Sequence, residues 1–226
     1  MRLAYLAQDR PDLQYPAKEL ARSMQEPTAW DKEQLKRACR YLLNSGRIVQ
    51  RFVWQELPSE VLIYSDSDHA GCLRTRKSTS CTMAFFGKHL IRSTSTTQAV
   101  ISLSTGESEF YAAVKSGSIG LGTVALLKDM GVTIQRPVFL QMDATAGLGV
   151  ASRRGAGRIR HISTPTLWLQ CAVQDGRIRL GKCPGKANPA DLGTKYVEKA
   201  VIDQALKTCS FVKLSGKSTL ALRAAV

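Results

Sequence analysis

Four acidic residues stand where a carboxylate is physically awkward. Asp66 closes the run that begins with the apolar Val61-Leu62-Ile63-Tyr64, and Asp143 closes Pro137-Val138-Phe139-Leu140-Gln141-Met142. Glu109 lies in the opening of the helix-like stretch Ser102–Val114, and Asp191 follows Ala187-Asn188-Pro189-Ala190. Acids at strand ends and helix starts point out of an α/β sheet at one edge, where several can converge. Converging carboxylates repel one another, and divalent cations are the usual remedy. The pattern therefore points to a hard-metal site.

The elements that would position these acids are legible from periodicity. Val61–Ser65 reads as a short buried strand. Cys81–Phe86, Gly87-Lys88 and His89–Ser93 read as a β-hairpin. A helix is expected from 102 to about 130, broken near Gly117–Gly122, then a strand over Pro137–Met142 and a helix over Ala144–Ser152. A basic, glycine-bearing loop follows at 153–158, then a helix over Leu167–Gln174, a strand over Arg177–Lys182 and a helix over Pro189–Leu206. Strands and helices in that order predict an α/β fold, a mixed sheet covered by helices. Before it, residues 1–55 read as a helical appendage: Pro16 could open one helix, and Trp30–Asn44 spaces its apolar residues by three and four up to the stop Ser45-Gly46. Residues 209–226 read as a basic, flexible tail.

Composition narrows the function classes. With 226 residues and 44% apolar content, the chain is expected to bury one sizeable core. No apolar run of the ~18–20 residues that span a bilayer is evident, nor a signal-peptide pattern, so no membrane partner and an intracellular location, cytoplasm or nucleus, are expected. Six scattered cysteines without a C-x-x-C pair, and three histidines without helical pairing, argue against zinc and for reduced thiols. Net charge is +14, and residues 151–226 carry 14 Lys and Arg against four acids, supplying +10 of it. A basic excess beside an acidic metal-site candidate favours nucleic acid as the partner.

Four blocks, in order, resemble a known family: Y-S-D-S-D-H-A-G-C with T-R-K-S-T-S-C, S-L-S-T-G-E-S-E-F-Y-A-A, Q-M-D-A-T-A-G and N-P-A-D-L-G-T-K. They are similar to the ribonuclease H domain of copia-type retrotransposon Pol polyproteins, over roughly residues 58–197 (domain span 58–208). Residues 1–55 resemble the C-terminal region of the reverse transcriptase that precedes it. The resemblance implies a ribonuclease H-like fold, a five-stranded mixed sheet flanked by helices. It implies Mg2+-dependent hydrolysis of the RNA strand of RNA–DNA hybrids, with two Mg2+ ions (Mn2+ able to substitute). The metal-holding and catalytic residues would be Asp66, Glu109, Asp143 and Asp191, and the polyprotein's reverse transcriptase would be a partner.

Two register choices stay open, Asp66 against Asp68 and Glu107 against Glu109. Ser65, Ser67 and Ser108 are candidates for sensing the 2′-hydroxyls that distinguish RNA. Arg153, Arg154, Arg158, Arg160 and Lys195 are candidates for phosphate contacts. His161 matches a histidine common in the family, with a structural role equally open. The chain departs from the family pattern at His69, Ala144-Thr145, Ser163, Pro165 and Leu167, none of which is a candidate metal ligand. No Tyr-x-Asp-Asp polymerase motif is present. The alternatives are a non-catalytic remnant that binds nucleic acid, and a different nuclease on the same fold.

Overall fold

The computed structural model describes residues 2–157, 159 and 161–216. Three helices come first, α1 (Arg2–Leu6), α2 (Pro11–Arg22) and α3 (Ala29–Ser45), followed by the strand β1 (Arg47–Gln50). The sheet elements follow: β2 (Val61–Ser67), β3 (Thr79–Phe86), β4 (His89–Thr97), the long helix α4 (Thr105–Asp129), β5 (Val138–Met142) and α5 (Thr145–Ser152). A 3-10 turn at Thr164–Leu167 leads into α6 (Trp168–Gln174) and β6 (Ile178–Lys182). Two further 3-10 turns, Gly185–Ala187 and Pro189–Gly193, precede α7 (Lys199–Thr208) and β7 (Phe211–Leu214).

The five central strands lie in the order β4-β3-β2-β5-β6. β3 is antiparallel to both neighbours, whereas β2, β5 and β6 run parallel. This mixed sheet, covered by helices, is the ribonuclease H-like arrangement. Chain direction reverses about β2: the hairpin is laid down on one side of it, and β5 and β6 on the other. The carboxyl ends of β2 and β5 thus form the switch point at which open α/β sheets place their ligands.

Alternation along the strands sorts the core into two layers. Val61, Ile63 and Leu140 face α4, α5 and α6, where Phe110 and Leu169 complete one buried cluster. Met83, Phe85 and Leu192 face the other way, onto Leu206 and Phe211. Three hydroxyls cross the first layer: Ser116 donates to Ser65 at 3.0 Å and lies 2.7 Å from Thr82, pinning α4 to β2 and β3.

The expected break in the 102–130 helix does not occur; α4 is continuous. Its glycines serve close packing. A Cβ on Gly120 would lie 2.6 Å from Val138 Cγ1, and one on Gly117 would lie 2.9 Å from Leu169 Cδ1. α4 also corrects the reading of hydropathy. It has 25 residues and contains an 18-residue window of mean hydropathy 1.3, which makes it long and apolar enough to cross a bilayer, yet its Phe110, Ala112 and Ala113 are buried against the sheet and α5.

The N-terminal region differs from expectation at two points. α2 begins at Pro11, and Pro16 is interior. Pro at the first helical position has no amide to leave unpaired, which suits it to that place. The region also contains a strand: β1 pairs antiparallel with β7, Arg47 opposite Leu214 and Gln50 opposite Phe211. The tail expected from residue 209 is therefore corrected as far as 216. Cys209 and Phe211 are buried in the second core layer, and β7 finds in β1 the partner its backbone requires. Residues 217–226 lie outside the described residues. α2 packs on the sheet edge, where Gln14 donates to the Ser93 carbonyl at 3.0 Å and Lys18 to Thr79 Oγ1 at 2.7 Å.

Gly120→Ala is expected to destabilise the protein by roughly 1–2 kcal/mol, because overpacking outweighs the better helix propensity of Ala. Gly122, with open space around it, is the internal control: Gly122→Ala should stabilise by up to ~1 kcal/mol. Urea midpoints of the two variants check the pair, and equal signs would refute the packing role of Gly120.

Candidate active site

The parallel register of β2 and β5 places two of the acids side by side. Tyr64 pairs with Gln141, so two further residues along each strand bring Asp66 next to Asp143. Glu109 reaches the same point from α4. That helix is fixed at its start by Ser104, whose side chain accepts from Glu107 N at 3.2 Å. The loop entering it is fixed by Gln98, which donates to Ser80 Oγ at 2.9 Å and to the Ser108 carbonyl at 2.8 Å. α5 approaches closely enough that a Cβ on Gly147 would lie 2.7 Å from Glu109 Cβ. One ligand oxygen from each of Asp66, Glu109 and Asp143 then falls within 4.8 Å of the others.

Asp191 arrives differently from expectation. The 189–206 stretch is not one helix: Asp191 sits in the 3-10 turn Pro189–Gly193, and α7 begins only at Lys199. Ser95 donates to the Gly193 carbonyl at 2.5 Å, taking an acceptor that a continuing helix would use, and a Cβ on Gly193 would collide with Cys81 Sγ. Asn188 staples the turn to the sheet, donating to the Ser65 carbonyl at 3.1 Å and accepting from Ala190 N. The chain then turns so that Thr194 donates to Asp66 Oδ2 at 2.5 Å. Asp191 itself bonds Lys195 Nζ at 2.7 Å. It lies outside the triad but near enough that its charge acts on Asp66.

Both open registers separate in space. Asp68 lies beyond the end of β2, and its carboxylate accepts from Thr79 N, away from the triad. Glu107 is two helix positions, about 200°, from Glu109. Its Oε2 accepts from Leu103 N at 3.0 Å and lies 2.9 Å from His161 Nε2. His161 thus props the loop after α5 against the start of α4. The sequence marks the two residues separately, His161 by its match to the family and Glu107 as the register alternative, but nothing in it marks their contact.

The electrostatics are those of a site awaiting positive charge. Burial, opposed by the Thr194 hydroxyl and reinforced by Asp191 and Asp143, lifts Asp66 to about 7. Burial, with Asp66 and Asp143, lifts Glu109 to about 8. Burial works against the Lys195 ammonium, but Asp191, Asp66 and Asp143 outweigh it and hold its pKa above the ordinary value. Glu109 Oε2 is buried and has no hydrogen-bond partner among the described residues. A buried carboxylate oxygen without a donor is costly. All-oxygen donors around an orphaned Glu109 oxygen fit a small, hard divalent cation.

Of the three serines, Ser65 and Ser108 are fully buried and engaged within the protein. Ser67 sits beside the triad: its amide and hydroxyl lie close enough to Glu109 to favour the ionised carboxylate, although its Oγ makes no well-formed hydrogen bond among the described residues. The basic loop is partly committed to itself: Arg153 donates to the Ala156 carbonyl at 2.5 Å, and Arg154 to Gln174 Oε1 at 2.9 Å. Arg158 and Arg160 lie outside the described residues.

The sign of the pH dependence follows from these shifts. Unfolded, the two carboxyls ionise near 3.8 and 4.5; folded, they hold their protons to about 7 and about 8. As pH rises through that window the unfolded state loses its protons first, so the cation-free protein loses stability from about pH 4 to about pH 8. Glu109→Gln should flatten this fall and exceed the parent in stability at pH 8 in EDTA. Saturating Mg2+ at pH 8 should restore the parent by roughly 1–3 kcal/mol and leave Glu109→Gln nearly unmoved. Denaturant titrations across pH check both, and a cation-free protein that gains stability with pH would refute the buried, repelling triad.

No family model matches the chain. It is 35% identical over 111 residues to an uncharacterized mitochondrial protein of Arabidopsis thaliana, covering 49% of this chain and 45% of that one. It is 26% identical over 191 residues to the retrovirus-related Pol polyprotein from transposon TNT 1-94 of Nicotiana tabacum, covering 84% of this chain and 14% of the polyprotein. The chain thus spans less than half the length of either curated relative. Among solved structures, it superposes on LC11-RNase H1 isolated from compost with a TM-score of 0.41 at 15% identity, over 66% of this chain and 99% of that one. With the prototype foamy virus protease–reverse transcriptase the TM-score is 0.34 at 14% identity, over 80% of this chain and 23% of that one. The motif order and the sheet topology agree with a ribonuclease H-like fold, and the alignment makes the chain similar to part of a transposon Pol polyprotein.

Proposed function

We propose that the chain is a Mg2+-dependent ribonuclease H that cuts the RNA strand of RNA–DNA hybrids, working inside the cell as part of a retrotransposon Pol polyprotein with its reverse transcriptase. The observation that carries the proposal is the largely buried triad Asp66, Glu109 and Asp143, in which one Glu109 oxygen has no hydrogen-bond partner among the described residues. An RNA–DNA hybrid is the substrate that the family resemblance of the four sequence blocks implies. The non-catalytic alternative is disfavoured by the geometry, since a decayed site would have no need to keep three repelling acids together.

Asp66, Glu109 and Asp143 would hold one cation, and Asp66 with Asp191 a second. When bound, the pair of Mg2+ ions makes an attacking water more acidic and stabilises the charge on the leaving oxygen. The protein's own contribution is positional. Thr194 fixes the rotamer of Asp66, and Lys195 holds the Asp191 side chain in place through its 2.7 Å ion pair. Gly185 leaves room at Asp143, where a Cβ would stand 3.2 Å from Oδ2. The Ser67 hydroxyl, beside Glu109, is the one remaining candidate among the three serines for contact with a ribose 2′-hydroxyl. Manganese satisfies the same oxygen donors and should substitute.

With Mg2+, the parent should cut a labelled RNA–DNA hybrid in its RNA strand and leave duplex DNA intact. Asp143→Asn should lower the rate by more than the ~10–100-fold typical of changes around, rather than in, a metal's ligand set. EDTA should abolish cutting. A folded parent that leaves the hybrid whole in Mg2+ and in Mn2+ would overturn the proposal.

A further inference from the structure

The N-terminal helices carry no catalytic residue, yet they build one wall of a cavity beside the site. A groove of about 650 Å3 runs between α2 and α3 on one side and the segment from Leu192 to α7 on the other. Its lining is basic, with Arg37 and Arg40 from α3 facing Lys195 and Lys199, and Lys213 from β7 closing one end. The one acid in its wall, Asp12, is already committed: Arg10 Nη2 lies 2.6 Å from it and the Tyr41 hydroxyl donates to it at 2.7 Å. Lys195 and Lys213 pair with Asp191 and Asp203, but among the described residues no acid pairs with Arg37, Arg40 or Lys199. Cations gathered on a groove and left unpaired repel one another, and the pattern is met by a polyanion.

Two other observations say which polyanion. Aromatic faces line the groove among the charges: the Tyr15 and Tyr196 rings meet edge-on at 4.9 Å, and the Arg37 guanidinium lies 5.3 Å from the Tyr196 ring. The groove also continues from the carboxylates. Leu192 and Lys195, in its wall, bracket Thr194, which holds Asp66, and flank Asp191. A buried carboxamide oxygen of Gln34 in the same lining has no donor among the described residues. Sugar hydroxyls and base amines could supply such a donor.

We propose that this groove is a phosphate-backbone subsite for the strand that flanks the scissile phosphate, so that the N-terminal helices are part of the nucleic-acid-binding surface. The inference rests on the nuclease reading above and adds to it a second set of contacts, outside the basic loop at 153–160. Arg37 and Arg40 take phosphates, and Tyr196 offers a ring against which a base or sugar packs.

The test is binding of a fluorescent RNA–DNA hybrid, by anisotropy across a salt series, to the full chain made non-cutting by Asp143→Asn. In that background Arg37→Ala/Arg40→Ala should weaken binding ~10–100-fold at 0.1 M salt and reduce the slope of log K against log salt by about two. Arg37→Lys/Arg40→Lys should recover the slope. Lys88→Ala/Lys128→Ala, which removes two exposed charges at the far end of the sheet, should change binding far less. Groove and far-end variants that bind alike would overturn the subsite, as would groove-dependent capture of a polyglutamate peptide without groove-dependent binding of hybrid. Cleavage by the unsubstituted chain separates the two claims. A protein that cuts hybrid but binds it independently of Arg37 and Arg40 loses only the subsite; one that binds through them and never cuts loses only the nuclease reading.

Discussion

Three carboxylates held within reach of one another, at the edge of a sheet and mostly out of water, are the constraint around which this molecule is built. Left alone, the cluster opposes folding: each charge is poorly hydrated and repelled by its neighbours. The surroundings therefore hold the acids together rather than merely house them. The β2/β5 register sets two of them, the start of α4 sets the third, and the Asn188 and Thr194 bonds bring Asp191 alongside. The rigidity of the first core layer, with its Ser65–Ser116–Thr82 hydroxyls, is what makes such placement reproducible.

Much of this was legible in the sequence because the acids interrupt strong local patterns. Asp66 and Asp143 close apolar runs too short for anything but strands, and their positions survive small errors in strand limits. The Glu109 choice rested on the apolar and small residues that follow it. Phe110, Ala112 and Ala113 are buried on the sheet side, and the helix turns Glu109 toward the strands and Glu107 toward His161. What could not be read were features that depend on distant partners. Gly117 and Gly120 look like helix breakers until Leu169 and Val138 stand against them. The helix expected from Pro189 is stopped by Ser95 and Cys81, roughly a hundred residues earlier in the chain. β1 and β7 are four residues each and make sense only as a pair.

The same lesson applies to charge. Counting Lys and Arg placed the basic surface in the last third of the chain, and the loop at 153–157 was the natural focus. Arg153 and Arg154 instead spend hydrogen bonds on their own neighbourhood. The denser gathering of exposed cations is composite, made by α3, the segment after Asp191 and β7, which lie far apart in sequence. A linear tally assigns α3 little charge, a net of +2 from Lys32, Lys36, Arg37 and Arg40 against Asp31 and Glu33. Folding selects which of them share a face.

The β1–β7 ladder has a mechanical side. The strands are antiparallel, with Arg47 opposite Leu214 at one end and Gln50 opposite Phe211 at the other. A pull applied at Arg47 and Leu214 therefore loads the same end of the ladder and opens its hydrogen bonds one after another, as a zipper opens, instead of shearing them together. Beyond the far end, the chain after β1 is clasped separately, by Gln55 on the Phe86 carbonyl and by the Val53 carbonyl against His89. Tension would thus free the outer ladder first and reach the five-stranded sheet last.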